Sequence, residues 1–363
     1  MIWMIIFLLL PLLGIAYTGW HIWAVMPVPA WFRAVVVACM VASVLLLFLN
    51  IGRSIDRMPL WLARWSYDVG ASSIFILLYL TMTFIVLDLG RLVGLVPKAW
   101  LHQNVYTTGA IAIALFWVFL LGNVHYHHKT RVELQLPTAK PLAQPVRLLL
   151  ASDLHLGYHN PRKELARWVD MINAEKPDLV LIAGDIIDMS IRPLKEENMA
   201  EEMRRIEAPV YACLGNHEYY SNEPEAQRFF KEAGIQLLRD SATVVGDLCI
   251  VGRDDRTNPN RCEVAKLAQR ADMQKYTILL DHQPYHLEKA EQAGFDFQFS
   301  GHTHYGQVWP ISWITDALYE CAFGSHQRGH TRYYVSSGLG IWGGKYRIGT
   351  RSEYVVATVT PEK

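Results

Sequence analysis

The chain has 363 residues, and its 34 Lys+Arg balance its 34 Asp+Glu, so the formal charge is zero. No basic face marks a nucleic-acid binder, and no acidic surplus points to a basic partner. At 52% hydrophobic the chain is slightly more apolar than an ordinary globular protein, and its length leaves room for two units.

The apolar excess is concentrated in residues 1–124, which hold only nine charged side chains. Four apolar runs follow one another there: 2–20, 34–51, 70–87 and 105–124. Each approaches the ~20 residues that a helix needs to cross a bilayer core. Trp20, Trp23, Trp31, Trp61, Trp65, Tyr67, Trp100 and Tyr106 gather at their ends, where the membrane–water interface favours aromatic rings. The first run lacks a charged leading region and a small-residue cleavage site, so it reads as a retained anchor. Four transmembrane helices are therefore expected over 1–124, surrounded by membrane lipids. Arg53, Arg57, Arg64, Lys129 and Arg131 lie on one side of the spans and Arg33, Arg91 and Lys98 on the other. That excess favours both termini inside and a cytoplasmic location for the chain beyond residue 124. Asp68 and Asp88 fall near the ends of the third run, where snorkelling accounts for them.

Residues 125–145 read as a connector leaving the membrane. His125, His127 and His128 in it suit an interfacial polar collar, with a metal site as the alternative. From Val146 to residue 363 the pattern is α/β. Strand-length apolar runs occur at 146–151, 179–183, 210–214, 248–251, 277–280, 295–299, 333–335 and 354–359, and helical spacing at 163–176, 196–206 and 225–233. Strands and helices alternate early and strands crowd later, which suggests a mixed arrangement with helices outside two facing sheets. Among the five cysteines, Cys39, Cys213, Cys249, Cys262 and Cys321, no spacing calls for a disulfide.

Polar residues of one kind close several of these strands. They are "SDLH" with Asp153 and His155, "GDIID" with Asp185 and Asp188, "GNHE" with Asn216 and His217, then His282, and "GHTH" with His302 and His304. Strand ends of an open α/β sheet are where distant parts of a chain assemble a site. Asp153, His155, Asp185, Asn216, His282, His302 and His304 supply oxygen and imidazole donors without thiolate, which suits Mn, Fe or Zn. Seven donors exceed the need of one ion and fit two divalent metals, with Asp185 placed to bridge. Gly301 and Gly306 would let backbone approach closely around His302 and His304.

These blocks, in this order, resemble the signature of the calcineurin-like metallophosphoesterases over roughly 146–360. The resemblance implies a four-layer α/β/β/α domain with a dinuclear centre, and with it a metal-dependent phosphoric ester hydrolase. It implies that Asp153, His155, Asp185 and His304 hold one ion and Asp185, Asn216, His282 and His302 the other. His217 would be the catalytic histidine, oriented by Asp188. "GQVWP" after His304 and the run 336–353 are most similar to a membrane-anchored bacterial branch, so a multi-pass protein of a bacterial inner membrane is expected. Tyr305 departs from that branch, which commonly has glycine there. Its ring could narrow the site mouth or touch substrate. Met189-Ser190 does not match the Arg-Gly of the protein serine/threonine phosphatases.

The expected substrate is a phosphodiester, phosphomonoester or pyrophosphate, lipid-linked in the leading reading. Trp309, Trp342 and Tyr346 are candidates for an apolar lip, and Arg332, Arg347 and Arg351 for phosphate contacts. Two alternatives stay open: a phosphohydrolase of soluble nucleotides that is merely tethered, and a non-catalytic metal-binding membrane sensor or scaffold.

Overall fold

The computed structural model describes the backbone of residues 2–51 and 54–362 and the side chains of residues 10–50 and 54–362. The chain divides into two units, residues 1–124 with 343–346, and residues 125–342 with 347–363.

Helices α1 (Ile2–Val25), α2 (Ala30–Ile51), α3 (Leu60–Leu92) and α4 (Val105–His127) account for the apolar part. Among the described residues, three helices are long and apolar enough to cross a membrane: α2, α3 and α4. The first expected run forms α1, whose side chains up to residue 9 lie outside the described residues; three of the four expected spans are met among those described. α3 is longer than its apolar run because Trp61, Arg64, Trp65 and Asp68 continue the helix beyond the lipid-length stretch. The charge on this unit is also handled differently than expected. Asp88 Oδ2 accepts from Tyr17 Oη at 2.8 Å and lies 3.0 Å from His21 Nε2, so α1 supplies its partners. Asn50 and Ser66 exchange bonds of 3.0 and 3.1 Å between α2 and α3, as polar side chains do where helices meet away from water.

The α/β unit holds two six-stranded sheets. In chain order its strands are β1 (Lys129–Thr138), β2 (Val146–Ala151), β3 (Leu179–Ala183), β4 (Val210–Cys213), β5 (Ile235–Leu237) and β6 (Ser241–Val245). There follow β7 (Leu248–Gly252), β8 (Tyr276–Leu280), β9 (Phe297–Ser300), β10 (Gly324–Arg328), β11 (Thr331–Val335) and β12 (Ser352–Pro361). One sheet runs β1-β12-β2-β3-β4-β5 and the other β10-β11-β9-β8-β7-β6.

The layering follows from side-chain alternation along each strand. In β2, Leu148 and Leu150 face the other sheet, where they meet Ile278, Leu280, Phe297 and Phe299. Leu149 and Ala151 point the opposite way. There they pack with Leu165, Trp168, Val169 and Ile172 of α5 (Arg162–Ala174). A third apolar cluster backs the second sheet, joining Cys249, Val251, Leu279 and Tyr333 to Leu267, Leu287 and Ala290 of short helices. Helix, sheet, sheet and helix layers result, as expected. Strands buried on both faces read as continuous apolar runs, which is why β2, β3 and β8 are conspicuous in the sequence.

The connector at 125–145 is not a bare linker. Its residues 129–138 form β1, which pairs parallel with β12 along its whole length. Val132, Leu134 and Leu136 alternate with Arg131, Glu133 and Gln135, and this half-buried edge pattern is easily mistaken for a polar connector. Strands β5, β6 and β10 are likewise short or half-exposed and stand outside the expected set. The helix expected at 196–206 is two short ones, 192–196 and 199–203. All five cysteines are free thiols.

Strands β2, β3 and β4 are mutually parallel, and so are β7, β8 and β9. Their C-terminal ends therefore share one edge in each sheet, and the polar residues just beyond them are brought together there.

Candidate metal centre

Among the described residues, three groups of side chains converge closely enough to share a cation: Asp153 with His155 and His304, His155 with Asp185 and His217, and Asp185 with His282 and His302. His155 and Asp185 each belong to two groups, so the three form one continuous cluster. His155 Nε2 and His304 Nε2 lie 3.1 Å apart, and both face Asp153 Oδ1, at 3.8 and 3.4 Å. Asp185 Oδ2 stands 3.7 Å from His155 Nε2 and 3.1 Å from His282 Nε2.

The loops that deliver these atoms hold left-handed backbone at Asp153 (φ 54°), His155 (46°), Asp185 (51°), His302 (71°) and His304 (48°). Such conformations cost about 1–3 kcal/mol each in non-glycine residues and persist only where the surroundings enforce them. Here the enforcement is visible. Asp153 N–H donates to Gly184 O at 3.1 Å and His155 N–H to Asp185 O at 3.0 Å, tying the turn after β2 to the turn after β3. His302 N–H donates to both oxygens of Asp153 at 3.1 Å, and His217 N–H to Asp185 Oδ1 at 2.9 Å. The glycines act as expected. A Cβ on Gly301 would stand 2.2 Å from Asp153 Oδ2, and one on Gly306, which has φ 66°, 2.4 Å from Ser312 N.

Second contacts set the histidine tautomers. His282 Nδ1 lies 2.7 Å from Ala183 O, so it carries the proton and leaves Nε2 to the cluster. His155 Nδ1 faces Asp188 Oδ1 at 3.3 Å, and His217 Nδ1 faces the same oxygen at 3.2 Å. Asp188 thus holds two imidazoles where the sequence suggested one. His217 stacks edge-on against His155, with centroids 4.5 Å apart.

The buried carboxylates and imidazoles perturb one another's ionisation strongly. Burial opposes ionisation of Asp153, Asp185 and Asp188, yet the surrounding histidines hold all three below the usual carboxylate range. Burial also disfavours charge on His155, but Asp153 and Asp188 push it up to about 10. His302 falls to about 4, through burial first and then His282. The cluster thus ionises three buried carboxylates, pushes His155 and His282 up, and leaves His302 and His304 resisting protonation. Asn216 adds a further sign, since its buried Oδ1 finds no hydrogen-bond partner among the described residues. An orphaned oxygen, imidazole nitrogens turned toward each other and ionised carboxylates form a donor set that suits hard or borderline divalent cations.

Glu218 and Arg347 were not assigned these roles from the sequence. Glu218 is fully buried, and its carboxylate accepts from Gly215 N at 2.7 Å, Asp185 N at 3.0 Å and Ile187 N at 3.0 Å. Burial and the charge of Asp185 raise it to about 7. Its place directly after Asn216-His217 was the available signal. Arg347 is not a phosphate contact. It is completely buried and donates to His304 O at 2.6 Å, Gly340 O at 3.3 Å, Ser352 Oγ at 3.1 Å and Ser337 O. Burial pulls it down to about 10. Arg351 pairs with Glu353 at 2.8 Å, and Arg332 donates to Gln135 O at 3.1 Å.

Tyr305 does not enter the cluster. Its ring stacks on Phe323 at 4.9 Å and its hydroxyl donates to Asp316 at 3.3 Å. Its backbone is left-handed (φ 48°), the conformation that glycine adopts without cost. Of the apolar-lip candidates, Trp309 is 40% exposed, Trp342 is half-buried, and Tyr346 packs edge-on against Phe119 within the helical unit. His127 Nδ1 lies 3.7 Å from Glu164, while His125 and His128 fall outside the three convergent groups.

Comparison with known proteins points the same way. Residues 146–306 match the family model described as calcineurin-like phosphoesterase. An uncharacterized metallophosphoesterase of Campylobacter jejuni is 29% identical over 240 residues, 64% of this chain and 63% of that protein. The chain therefore spans less than two thirds of that relative's length. A Danio rerio transmembrane protein with metallophosphoesterase domain is 29% identical over 328 residues, 82% of this chain and 74% of that protein.

Proposed function

We propose, from the premise that the α/β unit belongs to the calcineurin-like phosphoesterase family, that the chain is a membrane-bound, metal-dependent phosphoesterase. The observation that carries the reading is the convergence of Asp153, His155, Asp185, His217, His282, His302 and His304 into overlapping groups able to hold a cation at the ends of strands.

In this reading Asp153, His155, Asp185 and His304 hold one divalent cation and Asp185, Asn216, His282 and His302 a second, with Mn, Fe or Zn as the suited metals. Such a pair, when bound, supplies Lewis acidity toward a phosphoryl group and an acidified water as nucleophile. The protein's own residues do the rest. Asp188 Oδ1 bonds Nδ1 of His155 at 3.3 Å and lies 3.2 Å from Nδ1 of His217, so the Nε2 of each ring is turned away from that carboxylate. His217 Nε2 then delivers a proton to the leaving oxygen, and Asp188 stabilises the imidazolium that precedes the transfer. Glu218 and Arg347 keep the backbones of Asp185 and His304 in register.

The substrate is a phosphodiester, phosphomonoester or pyrophosphate of a lipid-linked compound, and the chain resides in a bacterial inner membrane with its α/β unit on the cytoplasmic side. Three apolar helices and the similarity to a transmembrane relative support the membrane part.

The test is hydrolysis by the detergent-solubilised full chain of an aryl phosphodiester and an aryl phosphomonoester. Each is assayed after chelation and again with Mn²⁺, Fe²⁺ or Zn²⁺ restored, beside Asp185→Asn. Metal-restored turnover that the variant lacks supports the reading. Metal bound in stoichiometric amount with no turnover on soluble or lipid phosphoesters would instead favour a non-catalytic sensor.

A further inference from the structure

A surface helix on a soluble domain turns its apolar side inward. The helix Ile311–Leu318 does the reverse. Its buried residues are Ser312 and Thr315, whereas Trp313, Ile314 and Leu318 are 65%, 57% and 63% exposed. Trp309, just before it, is 40% exposed and packs edge-on against Trp313 at 5.3 Å. Within the α/β unit the described residues include six large exposed hydrophobics, and four of them fall in this stretch of ten residues. The two others, Tyr220 and Val244, stand singly, as surface apolar residues ordinarily do.

The position of this helix is as telling as its inversion. At its start, Ser312 N lies where a Cβ on Gly306 would stand, so the helix abuts the loop that carries His302 and His304. At its end, Tyr319 sets its ring 6.4 Å from that of His302. The helix therefore borders the metal centre at both ends. Its one charge, Asp316, accepts from Tyr305 Oη. Two tryptophans with two branched aliphatic side chains make up a surface suited to the boundary between headgroups and acyl chains. A bilayer is the apolar phase that the chain itself calls for, because α2, α3 and α4 are long and apolar enough to lie in one, and the α/β unit follows α4 directly in the sequence.

We infer that Trp309 and the outward face of Ile311–Leu318 insert into the interfacial layer of a lipid bilayer, so that the metal centre meets phosphoryl groups at headgroup level. The insertion stands independently of the phosphoesterase reading. The substrate class that it selects, an amphiphile carrying its phosphoryl group in the headgroup, rests on that reading.

The experiment uses the full chain in phosphatidylethanolamine–phosphatidylglycerol nanodiscs. Cys39 and Cys262 are replaced by serine, leaving the buried Cys213, Cys249 and Cys321. Nitroxides are placed by Ile314→Cys and, as a second site, Trp313→Cys. Val244→Cys on β6 serves as the water-exposed control and Leu45→Cys on α2 as the lipid-exposed one. Relaxation by oxygen and by a water-soluble paramagnetic complex gives each label's depth. The expected result is that the labels at 313 and 314 lie about 5–10 Å below the phosphates, several-fold less open to the aqueous relaxant than the label at 244. Labels at 313 and 314 as open to that relaxant as the one at 244 would overturn the inference. So would dipolar broadening between labels at 314, which would show a second copy covering the face. A water-exposed label at 45 would overturn the membrane placement and the inference with it. Turnover of soluble aryl diesters and monoesters and of lipid phosphoesters by the unlabelled, metal-restored chain is measured alongside. Its absence would count against the phosphoesterase reading while leaving the depth result standing.

Discussion

Replacing Arg347 by methionine tests how the centre is held. The guanidinium is fully buried and bonds three backbone carbonyls and one hydroxyl. Methionine fills similar space without donors. His304 O keeps a bond from Gln307 N at 3.0 Å, so the carbonyls of Ser337 and Gly340 lose most. A buried acceptor left unsatisfied costs about 1–3 kcal/mol, and bonds from a charged donor are at the stronger end of the range. Relief from burying a charge offsets part of that loss. A net destabilisation of roughly 3–5 kcal/mol results, and for a domain of this size that lowers the melting temperature by about 6–20 °C. The assay pairs thermal unfolding of the full chain with Michaelis kinetics on a soluble diester. Arg347→Lys should recover only part of the loss, because an ammonium cannot reproduce the planar fork. A melting temperature unchanged by Arg347→Met, with KM raised tenfold or more, would show that the residue meets substrate phosphate and would refute this account of it.

Other consequences concern the ligands and the backbone around them. Asp185→Asn is expected to remove bound metal and abolish turnover, read by metal analysis beside the aryl-diester assay. His217→Ala should keep the metal content of the parent and lower kcat by roughly 100- to 10,000-fold; loss of metal in that variant would make His217 a ligand. Gly301→Ala places a methyl 2.2 Å from Asp153 Oδ2 and 2.5 Å from Ser152 Oγ. Overpacking of about 1–3 kcal/mol, with weakened metal retention after dialysis, is the expected result. Glu175 gives a pH dependence away from the centre. Burial raises its pKa, but its bonds to Arg131, Tyr354 and Arg147 outweigh burial and leave it below the ordinary carboxylate value. Its contribution to stability is therefore complete above that ordinary value and fades as the pH falls through the lowered one. The difference in melting temperature between the parent and Glu175→Gln should shrink on acidification, and a constant difference would contradict the assignment.

The candidate metal-ligating side chains stand out in the sequence because each follows an apolar strand and bears a donor that turns do not need. The layering was legible because strands buried on both faces read as unbroken apolar runs. Exposed edges were not: β1 alternates charged with aliphatic residues and looks like a linker until β12, more than two hundred residues later, pairs with it. Nor does a sequence state which way a side chain turns. Arg347 is written like a surface cation and is wholly interior, while Trp313 and Ile314 are written like core and face outward. Asp188 reads as the partner of one histidine and serves two. The identity of a donor is a local property of its residue. What that donor touches, and whether it faces protein, water or lipid, depends on segments far apart in the chain, and only the tertiary structure decides it.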